Sequence, residues 1–402
     1  MAAAFAGTKR RAPDPSSSKL CIDVHPERYE LELHQKARSL ESTFAGALPV
    51  SSKIELHRCD LVSGGFRMRA EFAVKRSREG RLFHCMFDGK EPVEVEHYPM
   101  GSSTMQRLMR NLLPAIQASE LLSSKLFQVN YLTSLTGDAV VVLLYHKQLT
   151  DDWSAKAQML EHTLNASVMG RARKQRIVLS KDYVIEELLV NNEHISLKLP
   201  EGQFSQPNSG VAAKMAAWTQ SAAKQCPGSA LLEMYCGSGT LTVPASRIFS
   251  KVLATEIAKP LVNAASYNMS ANNANNVTFA RLGAEEVRQA MSKERRFRRL
   301  EDANIDLNEL DTVLVDPPRA GCGREVMQFL RRFSAIIYIS CNPVSCCEDF
   351  ETISDEFQIE RIAAFDQFPY TDHLECGVLL VKRPDAPSRQ TEGSQQNGDG
   401  DG

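Results

Sequence analysis

Ala335-Ile336-Ile337-Tyr338-Ile339-Ser340-Cys341-Asn342-Pro343 runs from an apolar stretch straight into an Asn-Pro turn. A short apolar run closed by a turn reads as a strand, here Ala335 to Ser340. Open α/β sheets bind ligands in the crevice beyond the carboxyl ends of their strands, so Cys341 stands where a nucleophile would stand. A buried structural thiol is the other reading of the same residue, and it describes most free cysteines of intracellular proteins.

Two further stretches end in the same way. Asp316-Pro317-Pro318-Arg319 closes a strand over Thr312 to Val315, and Glu233-Met234-Tyr235-Cys236-Gly237-Ser238-Gly239-Thr240 closes one over Ala230 to Leu232. Strands also fit Val252 to Glu256 and Asn276 to Leu282, with helices between, and Ile359 to Phe365 and Glu375 to Val381 supply the last pair. Strand alternating with helix implies a parallel, doubly wound sheet.

Upstream the rhythm is mixed. Phe66 to Phe72 alternates like a half-buried strand, Val129 to Thr136 and Ala139 to Tyr145 flank the turn Gly137-Asp138, and helices fit Thr104 to Ala118 and Asp152 to Leu164. This predicts a smaller α+β domain over 25–205, with one sheet face available to RNA, followed by the α/β domain over 206–382. Residues 1–24 and 383–402 have the composition of disordered tails. The first tail carries Lys9-Arg10-Arg11, so organellar or nuclear targeting stays open beside a cytoplasmic location.

The 402 residues suffice for two cores. With 43% hydrophobic and 24% charged residues the composition is that of an ordinary soluble chain, and no apolar run approaches the ~20 residues of a membrane span. The ten cysteines include no C-x-x-C pair, which argues against zinc or an iron–sulfur cluster and for reduced thiols. A formal net charge of −2 excludes a polycation, yet a nucleic-acid footprint needs only local basicity. Arg67 to Arg81 and Arg171 to Lys181 are basic enough, although solvated faces read the same way; Lys293 to Arg299 reads as solvated. No obligate protein partner is indicated.

Gly237-Ser238-Gly239 follows a strand and precedes a helix, so it suits a nucleotide-containing ligand. Thr242 occupies the third glycine position of a dinucleotide fingerprint, which disfavours pyrophosphate. Glu256, at the end of the next strand, is placed to accept hydrogen bonds from two ribose hydroxyls. Asp-Pro-Pro followed by an aromatic residue is a motif of amino-group methyltransferases, but Arg319 stands in the aromatic position and weakens that reading.

Taken in order, these segments resemble the tRNA (uracil-5-)-methyltransferase family of bacterial type. The likeness extends through Phe127-Gln128-Val129-Asn130-Tyr131-Leu132-Thr133, Phe204-Ser205-Gln206-Pro207-Asn208, Ala254-Thr255-Glu256-Ile257-Ala258-Lys259-Pro260, Phe365-Asp366-Gln367-Phe368-Pro369-Tyr370 and His373-Leu374-Glu375-Cys376-Gly377, over roughly Tyr29 to Lys382. It implies a Rossmann-like catalytic domain that uses S-adenosyl-L-methionine (SAM) and no metal, and methylates C5 of a uridine in the T-loop of tRNA.

By motif match, Gln206, Tyr235, Gly237, Glu256 and Asp316 would hold SAM. Thr240 replaces an asparagine common in the family, and its hydroxyl can still donate and accept. Cys341 would be the nucleophile that adds to uracil C6, and Glu375 the base that removes the C5 proton. The thiol must lose its proton, with Arg319 the candidate cation, since a free thiol near pKa ~8.5 is only a few per cent ionised at neutral pH. Phe127, Arg67 and Arg69, with Gln128 and Tyr131 less firmly, would meet the tRNA, while Cys346, Cys347 and Cys376 read as packing and His373 as surface. The same chemistry on ribosomal or transfer-messenger RNA is one alternative, and a tRNA-folding module with secondary catalysis is another. The pairing of Cys341 with Glu375 favours an enzyme, because binding alone needs neither.

Overall fold

The structure, a computed structural model, describes residues 23–48, 53–301 and 305–384. Both expected tails therefore lie almost wholly outside the described residues. In chain order the strands are β1 (Glu55–His57), β2 (Arg69–Arg76), β3 (Leu82–Asp88), β4 (Glu91–Glu94), β5 (Leu126–Thr133), β6 (Ala139–Tyr145), β7 (Ser167–Ala172), β8 (Gln175–Val178), β9 (Tyr183–Val190) and β10 (Glu193–Pro200). After them come β11 (Ala230–Met234), β12 (Lys251–Thr255), β13 (Val277–Ala280), β14 (Thr312–Val315), β15 (Ala335–Ser340), β16 (Phe357–Phe365) and β17 (Glu375–Lys382).

The later strands build one sheet in the order β1-β16-β17-β15-β14-β11-β12-β13. Every pairing from β15 to β13 is parallel, while β17 runs antiparallel to both its neighbours. β11, β14 and β15 are buried along their whole length, as strands covered by helices on both faces must be, and that burial selects their unbroken Val, Ile and Leu runs. Pro343 opens the Pro343–Glu351 helix from its first turn, where a missing N–H costs nothing, and so the cysteine-bearing turn ends as a helix start.

The second sheet has the order β4-β3-β2-β5-β6-β7-β8 and is antiparallel except between β6 and β7. Two helices close one face, Ser103–Gln117 and Asp151–Leu164. Each begins at a hydroxyl cap, Ser102 accepting from the Met105 N–H at 3.1 Å and Thr150 from the Trp153 N–H at 3.3 Å. The hairpin β9–β10 bridges the sheets, β9 packing on the Ser209–Ala223 helix and β10 on the Lys259–Ala271 helix.

Two expectations shift. The strand expected over Phe66 to Phe72 forms over Arg69–Arg76, where Ala70, Phe72 and Val74 supply the buried alternate positions. The strand expected from Val129 starts at Leu126 through a register irregularity between Leu126 and Gln128, which periodicity cannot reveal.

The amino-terminal segment is shared between the two sheets. β1 pairs in parallel with β16 at the edge of the mainly parallel sheet, and the Tyr29–Thr43 helix packs on the Pro343–Glu351 helix. Lys36 from that first helix reaches Asp366 at 2.7 Å in a buried ion pair and donates to the Phe368 carbonyl. β1 and the helix before it thus join the mainly parallel sheet, and the antiparallel sheet begins at β2.

Candidate active site

Strand register builds the site. Met234 of β11 lies beside Thr255 of β12 and Val315 of β14, so one residue further on Glu256, Tyr235 and Asp316 stand in a row at the carboxyl edge. On the other side of β14, Ser340 of β15 pairs with Cys376 of antiparallel β17. Continuing that register sets Cys341 opposite Glu375. A strand parallel to β15 would have presented its other end here; the reversal of β17 is what brings an acid to the cysteine.

The acids in this crevice lack cationic partners among the described residues, and their protons reflect it. Burial, with Asp316 adding, pushes the Glu375 carboxyl up to about 8. Burial also lifts Asp316 to about 7. Glu233, fully enclosed below the glycine loop, is raised to about 8 by burial and then by Asp316, and its Oε2 has no hydrogen-bond partner. The Cys341 thiol, partly exposed, is pushed up to about 11 by burial first, then by Glu375 and Asp316. Arg319 pulls the other way, but as the weakest influence named. The cation expected to activate the thiol is therefore outweighed by the acids around it.

The cofactor candidates form a cradle. Each oxygen of Glu256 accepts one backbone N–H, Gly237 at 3.2 Å and Ala258 at 2.8 Å, which fixes the carboxylate while leaving lone pairs for two hydroxyls. Gly237 adopts φ of +56°, and a Cβ there would meet nothing within 4 Å, so the space above the loop is open. Tyr235 holds φ of 62°, a costly conformation for a bulky residue. The Gln206 Oε1 is buried without a partner, an orphan that a ligand N–H or O–H would satisfy. Thr240 meets only the Ser238 hydroxyl, at 3.4 Å, among the described residues.

The expected RNA residues separate. Phe127 stacks face to face on His146, the ring centroids 3.9 Å apart. Beside them opens a groove of about 480 Å³ lined by Lys147, Arg171 and Arg173 as well. Arg69 instead braces the protein, donating to the Gln203 carbonyl at 2.8 Å and pairing with Glu71 at 3.3 Å. Arg67 donates to the Arg69 carbonyl at 2.9 Å. Tyr131 is buried and bonded to His84 at 2.7 Å, so it belongs to the core and offers no stacking face. The second basic run is largely spent on internal ion pairs, Arg171 with Glu201, Arg176 with Asp182 and Lys181 with Asp138.

Sequence reading missed His146, since nothing marks a lone histidine after a strand as the partner of a distant phenylalanine. It also gave Glu233 no role, although a carboxylate ahead of a glycine loop at a strand end was the available signal.

The family model for tRNA (uracil-5-)-methyltransferase matches residues 28–383. The chain belongs to the tRNA (uracil-5-)-methyltransferase family. Among similar proteins, the tRNA/tmRNA (uracil-C(5))-methyltransferase of Teredinibacter turnerae is 41% identical over 361 residues, covering 89% of this chain and 98% of that protein. Its counterpart in Saccharophagus degradans is 42% identical over 364 residues, covering 90% and 98%. The Pyrococcus abyssi tRNA (uracil-54, C5)-methyltransferase, solved with S-adenosyl-L-homocysteine, superposes with a TM-score of 0.68 at 19% identity over 90% of this chain and 86% of that one, which is a likeness of fold.

A tRNA (uracil-5-)-methyltransferase transfers a methyl group to C5 of uracil in tRNA, and SAM is its methyl donor. Among the described residues no three His, Cys, Asp or Glu side chains are grouped to hold a metal, and no helix is long and apolar enough to cross a membrane.

Proposed function

We propose that this methyltransferase modifies the uridine at position 54 in the T-loop of tRNA, through a thioether between the Cys341 sulfur and uracil C6. The observation that carries this reading is the β15–β17 register, whose continuation past Ser340 and Cys376 sets Cys341 opposite Glu375, with the Glu375 carboxyl close enough to oppose the thiolate.

Uracil C5 is a poor nucleophile, and adding a thiolate to C6 converts the ring to an enolate whose C5 is reactive. Cys341, partly exposed, loses its proton to solvent, and its thiolate forms the S–C6 bond as the C5=C6 π electrons move onto the C4 oxygen. Glu256, Gln206 and the Tyr235–Gly237 loop would hold SAM, which would supply the electrophilic methyl group to C5 and depart as S-adenosyl-L-homocysteine. Once C5 bears the methyl group, Glu375 takes the remaining C5 proton, the S–C6 bond breaks and Cys341 leaves as thiolate. SAM is a sulfonium cation, so its arrival among Asp316, Glu375 and Glu233 favours their charged forms. The acids that oppose the thiolate in the free protein are then partly neutralised by the cofactor.

C6 is inaccessible inside a stacked loop, so the target base must be extruded, at a few kcal/mol. The Phe127–His146 stack and the cations of the adjoining groove suit this, offering a π surface and phosphate contacts. Arg67 and Arg69 serve the same end indirectly by bracing the segment that leads to Gln206.

The test is mass spectrometry of tRNA nucleosides and fragments after incubation with protein and SAM. The reading expects 5-methyluridine at position 54, in intact tRNA and in an isolated T-arm stem-loop. Methylation confined to ribosomal RNA, or at another tRNA uridine, would refute it.

A further inference from the structure

One buried side chain outside the proposed chemistry ties the loop after β14 to β15. Asp349 lies on the Pro343–Glu351 helix, the helix that Cys341 leads into, and is 5% exposed. Its Oδ2 accepts the Cys322 N–H at 2.6 Å and the Tyr338 hydroxyl at 2.6 Å, and its Oδ1 accepts the Gly323 N–H at 3.1 Å. Cys322 and Gly323 belong to the loop that follows Asp316, and Tyr338 to β15. The Cys322 side chain in turn lies beside Tyr235 at the end of β11.

The same helix grips that loop a second time. The Asn342 amide and the Ser345 hydroxyl both donate to the Arg319 carbonyl, at 3.0 and 3.1 Å. Asn342 is the N-cap residue, yet its side chain makes no capping bond and is used on the loop instead. Gly321, between the two grips, has φ of +82°, and a Cβ there would lie 2.7 Å from Asp349 Oδ2. Loop and carboxylate are in direct contact, with no room for a side chain.

We propose that Asp349 is a positioning residue for the reaction: it locks the Asp316–Gly323 loop to the cysteine-bearing helix, so that Cys341 and the cofactor crevice keep one fixed separation. This rests on Cys341 being the nucleophile. A carboxylate is suited to the task because it accepts several N–H and O–H donors at once, and each charge-assisted bond is stronger than a neutral one. An error of about 1 Å between reacting groups costs on the order of 100-fold in rate.

Asp349→Ala, Asp349→Asn and Gly321→Ala in the full-length protein test this. The readouts are thioether formation with tRNA containing 5-fluorouridine, whose C5 carries no removable proton, and the affinities for SAM and tRNA. Asp349→Ala is expected to slow thioether formation on the order of 100-fold with tRNA affinity retained. Asp349→Asn, which keeps one acceptor oxygen, is expected to recover part of that rate. Gly321→Ala is expected to slow the step although the carboxylate is untouched, and it decides the matter should Asp349→Ala fail to fold. Wild-type rates of thioether formation in the folded variants would overturn the proposal. A Cys341→Ala protein that still forms the thioether would instead overturn the nucleophile assignment beneath it.

Discussion

The two sheets present opposite chemistry. The carboxyl edge of the parallel sheet collects Glu233, Asp316 and Glu375 around one thiol, and burial raises the affinity of all of them for protons. The rim of the antiparallel sheet instead presents a stacked aromatic pair, with Lys147 and the exposed Arg173 lining an open groove. Buried groups are difficult to charge and respond to whatever cation enters, whereas exposed cations are screened and respond to salt. Damage to the first region should therefore appear in bond-making steps, and damage to the second in affinity.

The largest expected effect lies in the first region. Cys341→Ala should lower turnover by about 10⁴-fold or more, in line with removal of an enzymatic nucleophile, while tRNA binding stays intact. A filter-binding assay beside a methylation assay checks this, and a parallel loss of both would break the contrast between the sheets.

Glu256→Ala follows. The loss of a charged acceptor should weaken SAM binding by about 1.5 to 3 kcal/mol, read by calorimetry, with no change in tRNA affinity. Unaltered SAM affinity would show that the carboxylate, although fixed by Gly237 and Ala258, faces no ligand.

In the second region, Phe127→Ala should cost about 1 to 3 kcal/mol of tRNA affinity, the worth of one base stacked on an aromatic ring. Removing Arg173 should instead reduce the slope of log affinity against log salt by about 1. If either change altered the methyl-transfer rate at saturating tRNA, the rim would be part of the chemistry as well.

A smaller effect concerns pH and stability. Asp316, Glu233 and Glu375 have folded-state values above those of ordinary carboxyls, so the folded protein holds protons that the unfolded chain releases. Their contribution is fully present below the unfolded range near pH ~4 and is lost as pH rises through 7 to 8. The melting temperature of the SAM-free protein should fall as pH rises from about 4 to about 8 and level off above, and bound SAM should blunt the fall. Glu375→Gln should flatten the profile, and an identical slope in that variant would contradict the assigned protonation.

Much of this was legible in the sequence because strand ends carry their chemistry locally. The runs ending at Met234, Val315 and Ser340 were apolar and closed by turns, so the row of ligand positions followed from period and punctuation. Less visible were relations that only packing creates. β1 is three residues long and joins a strand 308 residues later, as the pairing of His57 with Phe365 records, and no local pattern announces such a partner. Arg69 and Tyr131 fall within promising motifs, yet one is spent on Gln203 and the other on His84, because burial and internal hydrogen bonds compete for the same side chains that RNA would use. The direction of the Cys341 shift was likewise hidden, since it depends first on burial and then on acids brought together from β14 and β17.

The account stands on the division of labour between Cys341 and Glu375, and Glu375→Gln separates them most directly. With the base removed, thiolate addition and methyl transfer proceed but the C5 proton stays, so the S–C6 bond does not break. Incubation of this variant with tRNA and SAM, followed by denaturing electrophoresis and peptide mapping, should reveal a methylated RNA–protein adduct attached at Cys341. Full turnover without an adduct, or an adduct mapped to Cys236, Cys346 or Cys376, would contradict the mechanism.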